Sequence, residues 1–308
     1  MSSPASELQI GPASADQFAE ALRLVFSRLP PAYAGSQVEA MRADVAAGKG
    51  SMDGLRIAKR SGRLRGVVFS QVQPGKAALV WPPRALPGEP ATTLEKLLDV
   101  ISLWLEEQGV RIAECLVPDD SDVDAPVLAA GGYQHLANLL YLVSMDKDFP
   151  RSPPQSPLTY EPYSLSNRLR LTQIVASTYQ QTRDCPQLNG VRAIEDTLIG
   201  YHAAGDFDPQ RWLLVRHCGE DVGCLLLADY PEQENWELLY VGVIPSARGH
   251  GWGREITRYA QWLTRQAHRP RLVLAVDAAN EPALRMYSEL GFRAWERRRV
   301  FVRIFTSR

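Results

Sequence analysis

The sequence has no long apolar run and no excess of charge of either sign. The stretch Val127 to Met145, within its longest uncharged run, carries Gly131, Gly132, Gln134, His135, Asn138 and Ser144, and is too polar to span a bilayer. Thirty-four basic residues against 35 acidic ones leave a net charge of −1, so no global field favours nucleic acid or an anionic membrane surface. Cysteine is scarce. The four (Cys115, Cys185, Cys218 and Cys224) lack CxxC spacing, which suits a reduced, cytoplasmic protein and offers no metal site. His202, His217 and His268 have no metal-like spacing either. The opening Met-Ser-Ser-Pro-Ala-Ser-Glu lacks the basic and apolar regions of a signal peptide.

What is present is a globular composition, 45% apolar and 22% charged over 308 residues, enough for two ordinary domains. The first half reads as a helix over Asp16 to Ser27 and a second over Val38 to Ala47. A hairpin follows, from Leu55 and turning at Ser61-Gly62, and then a strand from Ala77 that is closed by Pro82 and Pro83. A helix starts at Thr92, with Thr92 and Glu95 at capping-box spacing, and precedes a strand from Ile112 to Val117. The acidic Asp119 to Asp124 breaks the chain before the Gly131-Gly132 turn and a last strand. Asp148 to Pro157 holds four prolines and is read as a stiff linker.

The second half repeats that order. Helices are expected over Asn167 to Gln181 and Val191 to Ala203. A hairpin turns at Gly219, a long strand covers Trp236 to Ile244, and an amphipathic helix, a strand, a helix over Glu281 to Leu290 and a last strand follow. Gly62 and Gly66 fall on Gly219 and Gly223, and Gly132-Tyr133 falls on Gly291-Phe292, so the repeat is internal. The expected fold class is mixed α/β (α+β) in two tandem copies, each a mixed central sheet flanked by helices, with antiparallel strands early and a βαβ unit late. The expected domains are 1–147, the linker 148–157, and 158–308.

The densest chemistry lies in Val243-Ile-Pro-Ser-Ala-Arg-Gly-His-Gly-Trp-Gly253. An apolar strand, a loop with three glycines and a helix start make an anion site: successive backbone N–H groups turn toward a phosphate and the helix dipole adds to them. In the first copy the matching stretch is Arg84-Ala-Leu-Pro-Gly-Glu-Pro90, with two prolines and an acid where phosphate would sit. That half is expected not to hold such a ligand in the usual way, and to be a structural partner or part of an acceptor pocket.

Arg248, Gly251 and Gly253 resemble motif A of the GNAT superfamily of acyl-CoA N-acyltransferases, (Arg/Gln)-x-x-Gly-x-(Gly/Ala). Asn280-Glu-Pro-Ala-Leu-Arg-Met-Tyr-Ser-Glu-Leu-Gly-Phe292 is similar to its motif B. The resemblance covers residues 158–308 by motifs and residues 8–147 only by element order and a few glycines. It implies acetyl-CoA as cosubstrate, no metal, and transfer to a primary amine by direct attack. Val241, Val243, Ile244, Arg248, Gly249, His250, Gly251, Trp252, Gly253, Asn280 and Tyr287 are the expected cofactor contacts. The Val243 or Ile244 amide is expected to stabilise the oxyanion, and Tyr287, otherwise a core aromatic, to protonate the leaving thiolate.

Glu237 is the candidate base, a carboxylate expected to share a strand face with Leu239, Val241 and Val243, where desolvation would raise its pKa. An ordinary strand-end glutamate paired with an arginine is the alternative. Asp184 and Tyr240 are candidate acceptor contacts, Asp184 for a cationic amine. Tandem members of this superfamily include the mycothiol synthases, and Glu237-Leu-Leu-Tyr-Val-Gly-Val-Ile-Pro is similar to their active strand, which leaves a thiol-sugar amine as one possible acceptor. The expected partner is a small-molecule amine. The alternatives are a peptide N-terminus, as in N-terminal protein acetylation, or a non-catalytic acetyl-CoA-binding sensor.

Overall fold

A computed structural model describes residues 7–48 and 50–306, which fall into two compact units: residues up to His135 together with those from Val300, and Leu136–Arg299. The first unit begins with β1 (Gln9–Pro12), α1 (Phe18–Val25) and α2 (Pro31–Ala46). The second helix starts earlier than its periodicity suggests, because Pro31 at the first helical position needs no hydrogen-bond partner for its nitrogen. Strands β2 (Leu55–Arg60), β3 (Arg63–Gln73) and β4 (Ala77–Ala85) run antiparallel in that order beside β1. Helix α3 (Thr92–Glu107) then crosses to β5 (Ile112–Pro118), which pairs parallel with β4.

Alternation divides the core of this unit. Val67 and Phe69 face Leu22 and Val25 of α1, while Val68 faces Leu97, Leu98 and Ile101 of α3. Three expectations are corrected here. Strand β4 does not end at Trp81 but continues through Pro82 and Pro83, which sit at a register shift between Val67 and Phe69 of β3, one of the few sheet positions a proline tolerates. Thr92 does not cap α3: the N-cap is Ala91, and Thr93 instead donates from Oγ1 to Glu89 at 3.1 Å. The acidic stretch expected only to break the chain starts a helix, α4 (Asp124–Ala130), at whose first residue the Asp124 carboxylate accepts from Ser121 Oγ at 2.6 Å.

The second unit takes most of β6 (Gln134–Met145), then β7 (Leu158–Pro162), α5 (Arg168–Thr178), α6 (Ile194–His202), β8 (Trp212–His217) and β9 (Glu220–Tyr230). They lead into β10 (Asn235–Val243), α7 (Trp252–Gln266), β11 (Arg271–Asp277), α8 (Glu281–Glu289) and β12 (Arg293–Ile304), whose first part, to Arg299, belongs to this unit. Its strand order is β12-β6-β11-β10-β9-β8-β7, with β10 and β11 joined in parallel and the β6–β11, β10–β9, β9–β8 and β8–β7 pairs antiparallel. The units therefore do not divide at the Pro-rich segment 148–157. Residues 139–145 pair with the whole of β11, and Phe149 is buried in the second unit's core, so the chain has entered that unit before the prolines begin.

Candidate active site

Two features of β10 shape the site. Its pairing with β11 covers only Asn235–Glu237 against Arg271–Val273, after which the strands part. Its register with β9 slips at Leu239, where one extra residue is inserted between Leu238 and Tyr240. Such a bulge reverses the alternation of side chains beyond it. Trp236 and Leu238 before it, and Val241 and Val243 after it, face the core under α7 and α8, whereas Leu239 and Tyr240 face α5 and α6.

Glu237 pairs with Ala228, two residues from the Leu226 that opposes Tyr240, so it lies on the α5/α6 face. The expectation that Glu237 shares a face with Val241 and Val243 is thus overturned by the bulge. Gly242 is fixed by close packing: a Cβ there would meet the Thr178 side chain at 2.6 Å.

Where the strands part, a cavity of about 380 Å³ opens, lined by Leu238 to Val243, by Ala275 and Val276 of β11, and by Thr178, Asp184, Arg248, Gly253, Asn280, Met286 and Tyr287. Ile244 donates its amide to the Val222 carbonyl at 3.0 Å, so it has no free N–H to offer an acyl oxygen. By the alternation of an antiparallel ladder, the amides of Val241 and Val243 then point away from β9, toward the gap.

Beyond the strand, Gly249 and Gly251 take positive φ values of 86° and 77°, a conformation in which a side chain would be strained. Among the described residues, no backbone carbonyl accepts from the amides of Gly249, His250, Gly251, Trp252 or Gly253. These five N–H groups at the start of a 15-residue helix are the donor set that suits a phosphate group. His250 stacks on Trp252 with centroids 4.9 Å apart, and its Nδ1 lies 3.1 Å from the Arg248 carbonyl.

Arg248 does something other than reach for a phosphate. Its guanidinium donates to the carbonyls of Val243 (3.1 Å), Gln181 (3.2 Å), Thr178 (2.9 Å) and Gln180 (2.8 Å), pinning the glycine loop to the C-terminal end of α5. A cation there also meets the negative end of that helix.

The titratable groups are shaped by burial. Desolvation raises the Glu237 carboxyl above the usual glutamate range, against a hydrogen bond from the Tyr230 hydroxyl that pulls the other way. Glu237 stands at the vertex where the strands part, adjoining the cavity lining through Leu238. Asp184 is raised by burial first and by the charge of Asp277 as well, while its Oδ1 accepts from the Asp277 amide at 3.0 Å. Tyr287 is buried among Leu272, Leu274 and Phe292, and burial pushes its hydroxyl pKa up, helped by Asp184. Asn280 caps α8, its side chain accepting from the Ala283 amide at 3.4 Å, and also hydrogen-bonds Asp184.

Tyr240 hydrogen-bonds Thr178 Oγ1 at 2.8 Å and packs against Tyr179 and Tyr201, whose hydroxyls are 2.9 Å apart. The structure thus brings Tyr240, Val241, Val243, Arg248, Gly253, Asn280, Tyr287 and Asp184 to one cavity, and leaves Glu237, Ile244, Gly249, His250, Gly251 and Trp252 outside its lining. The sequence reading missed Tyr230, Thr178 and the tyrosine cluster, since nothing in their local spacing marks which strands and helices will meet. The one available signal was Gly242 between two valines, a glycine inside a strand that often marks close backbone approach.

The first unit has its own parting strands, with β4 and β5 paired over Ala77–Leu79, and two of its carboxylates are held by arginines. Glu89, before α3, is held by Arg60 Nε at 3.1 Å and Arg65 Nε at 3.5 Å. Asp124 is buried against Arg84 at 2.6 Å and Arg28 at 3.0 Å.

Among known proteins, the model of the acetyltransferase (GNAT) family matches residues 172–292. The chain is 38% identical over 103 residues to the mycothiol acetyltransferase of Thermomonospora curvata, covering 33% of this chain and 34% of that one. It therefore spans about a third of the length of the curated relatives it matches. A GCN5-related N-acetyltransferase from Sphaerobacter thermophilus has the same fold at TM-score 0.63 and 14% identity, covering 96% of this chain and 95% of that one. A tandem GNAT protein from the clavulanic acid biosynthesis pathway does so at TM-score 0.54 and 13% identity, covering 98% and 100%. The glycine loop, the parted strands and the family match coincide on one stretch, and residues 172–292 form a domain of the acetyltransferase (GNAT) family.

Proposed function

We propose that the chain is an N-acetyltransferase that moves an acetyl group from acetyl-CoA to a primary amine on a small molecule by direct attack. The observation that carries this is the parting of β10 and β11 immediately after Glu237, which opens a cavity lined by β10 from Leu238 to Val243 and by Tyr287, with Glu237 the residue just before that lining. Acetyl-CoA would supply the acyl group already activated as a thioester. Its pyrophosphate fits the five unpaired amides of residues 249–253, and the pantetheine arm fits the cavity beside Asn280.

Within the site each residue has one task. The Val243 amide, aimed into the gap, holds a donor where negative charge gathers on the acyl oxygen. Glu237, with its pKa raised by burial, takes the proton of the incoming amine, directly or through one water. Tyr287 gives its phenol proton to the departing sulfur as the C–S bond breaks, and the phenolate is then reprotonated from solvent; because burial raises the phenol pKa and weakens it as an acid, donation is concerted with cleavage. Asp184 places a second buried carboxylate beside the amine's path.

The test is thiol release from acetyl-CoA with a panel of primary amines, run on the native protein, Glu237→Gln, Tyr287→Phe and the double variant. Amine-dependent release that falls at least about a hundredfold in Glu237→Gln is expected. Turnover undiminished in the double variant would contradict catalysis by these groups, and acetyl-CoA binding without any turnover would point to a sensor.

A further inference from the structure

Helices α5 and α6 cover only part of one face of the second unit's sheet. Trp212, Leu214, Leu226 and Tyr240 of β8, β9 and β10 are packed beneath them, but Ala275 of β11 is exposed and Trp295 of β12 is 60% exposed. Register shows what lies on the uncovered part. Glu237 pairs with Val273, and two residues further along β11, Ala275 pairs with Tyr141 of β6. Paired residues share a face, so Glu237, Val273, Ala275 and Tyr141 form one continuous floor. The opposite face is confirmed independently: Trp236, Leu272, Leu274 and Leu142, their sequence neighbours, are all buried in the core under α7. Trp295 closes the floor, its ring 5.9 Å from Tyr141 and inclined at 60°.

We propose that this uncovered strip is the acceptor subsite, with Tyr141 and Trp295 forming an aromatic corner that holds a ring of the acceptor while its amine reaches Glu237. The inference rests on the transferase function proposed above and names its substrate class. Two strand spacings separate β10 from β6, about 10 Å. An acceptor that touches both ends is therefore elongated: a primary amine, a short linker, and a ring with an apolar face. The strip meets the cavity vertex through Val273, which pairs with Glu237, so a carboxylate stands at the amine end. A substantially exposed indole on a strand otherwise written Arg-Ala-Trp-Glu-Arg-Arg-Arg is hard to explain as packing, since its burial contributes little to the fold.

The test uses three acceptors with the full-length protein: glycinamide, which has the amine and linker but no ring, N-glycyl-tyramine and N-glycyl-glucosamine. Trp295→Ala and Trp295→Phe are compared with the native protein by kcat/KM and by calorimetric titration of each acceptor. We expect Trp295→Ala to lower the ratio of kcat/KM for a ring-bearing acceptor over glycinamide by about five- to tenfold, through KM, with a matching loss in Kd. Trp295→Phe should restore most of it. Which ringed acceptor shows the effect tells whether the corner takes an aromatic or a sugar ring. A ratio unchanged in Trp295→Ala, or loss in kcat alone, would overturn the subsite. Absence of turnover with every amine in the native protein would instead contradict the transferase function, leaving the Kd comparison to judge the subsite.

Discussion

At the residue scale the decisive quantity is the protonation of Glu237. Its carboxyl is raised by burial, so the folded protein holds that proton more tightly than the unfolded chain does. The stability Glu237 contributes is complete below the unfolded glutamate value and is lost as pH rises through the raised folded value. Glu237→Gln removes the buried charge, and is expected to leave Tm at neutral pH equal to or above that of the native protein while turnover collapses. Thermal melts beside the kinetic assay check this; a large fall in Tm would mark the carboxylate as structural. The same shift sets the pH profile: kcat/KM should rise with pH through a limb above the ordinary glutamate range, and that limb should vanish in Glu237→Gln. Motif spacing singled out Asn280 and Tyr287, and both line the cavity, as does Asp184, whose signal was its segment between two helices; Glu237 was singled out by a strand periodicity that the bulge breaks. Tyr230 was not, because its contact with Glu237 depends on how β9 pairs with β10.

At the element scale two devices organise the site, one hidden in the sequence and one half visible. The bulge at Leu239 turns Val241 and Val243 away from Glu237's face, and no period-two reading of Trp-Glu-Leu-Leu-Tyr-Val-Gly-Val can show it, since both registers keep apolar residues on both faces. The turn at Gly249 and Gly251 was legible from the glycines, but the use of Arg248 was not. Four carbonyls from β10 and the end of α5 take up its guanidinium, so it links the loop to the segment that carries Asp184. Arg248→Ala is expected to destabilise the protein by about 2 kcal/mol, measured by chemical denaturation, because charge-assisted hydrogen bonds to carbonyls are lost and those carbonyls are left without a donor. It should also raise the KM for the acceptor amine more than that for acetyl-CoA. The reverse order would mean that the side chain serves the phosphate directly.

At the scale of the whole molecule, the repeat expected from glycine positions is a repeat of elements. In both units a glycine packs against the neighbouring strand: a Cβ at Gly66 would meet the Arg84 carbonyl at 3.1 Å, and one at Gly223 the Gly242 carbonyl at 2.3 Å. Prolines report local stiffness, whereas membership of a sheet is decided by distant pairing such as that of β6 with β11. In the first unit Glu89 and Asp124 are each held by arginines, before α3 and at the start of α4. Asp124→Ala should therefore cost about 3–5 kcal/mol in denaturant unfolding, because it strands Arg84 in the interior; a loss below 1 kcal/mol would show the pair to be dispensable.

The most direct measurement of where the cosubstrate binds is calorimetric titration of acetyl-CoA into the full-length protein and into Gly253→Glu. That position has an ordinary backbone and only Met286 Sδ within reach of an added Cβ, at 3.4 Å, so the variant introduces an acid at the start of α7 without strain. One site per chain, lost in Gly253→Glu at an unchanged Tm, is the expected result. No binding to the native protein, two sites per chain, or undiminished binding by the variant would contradict it.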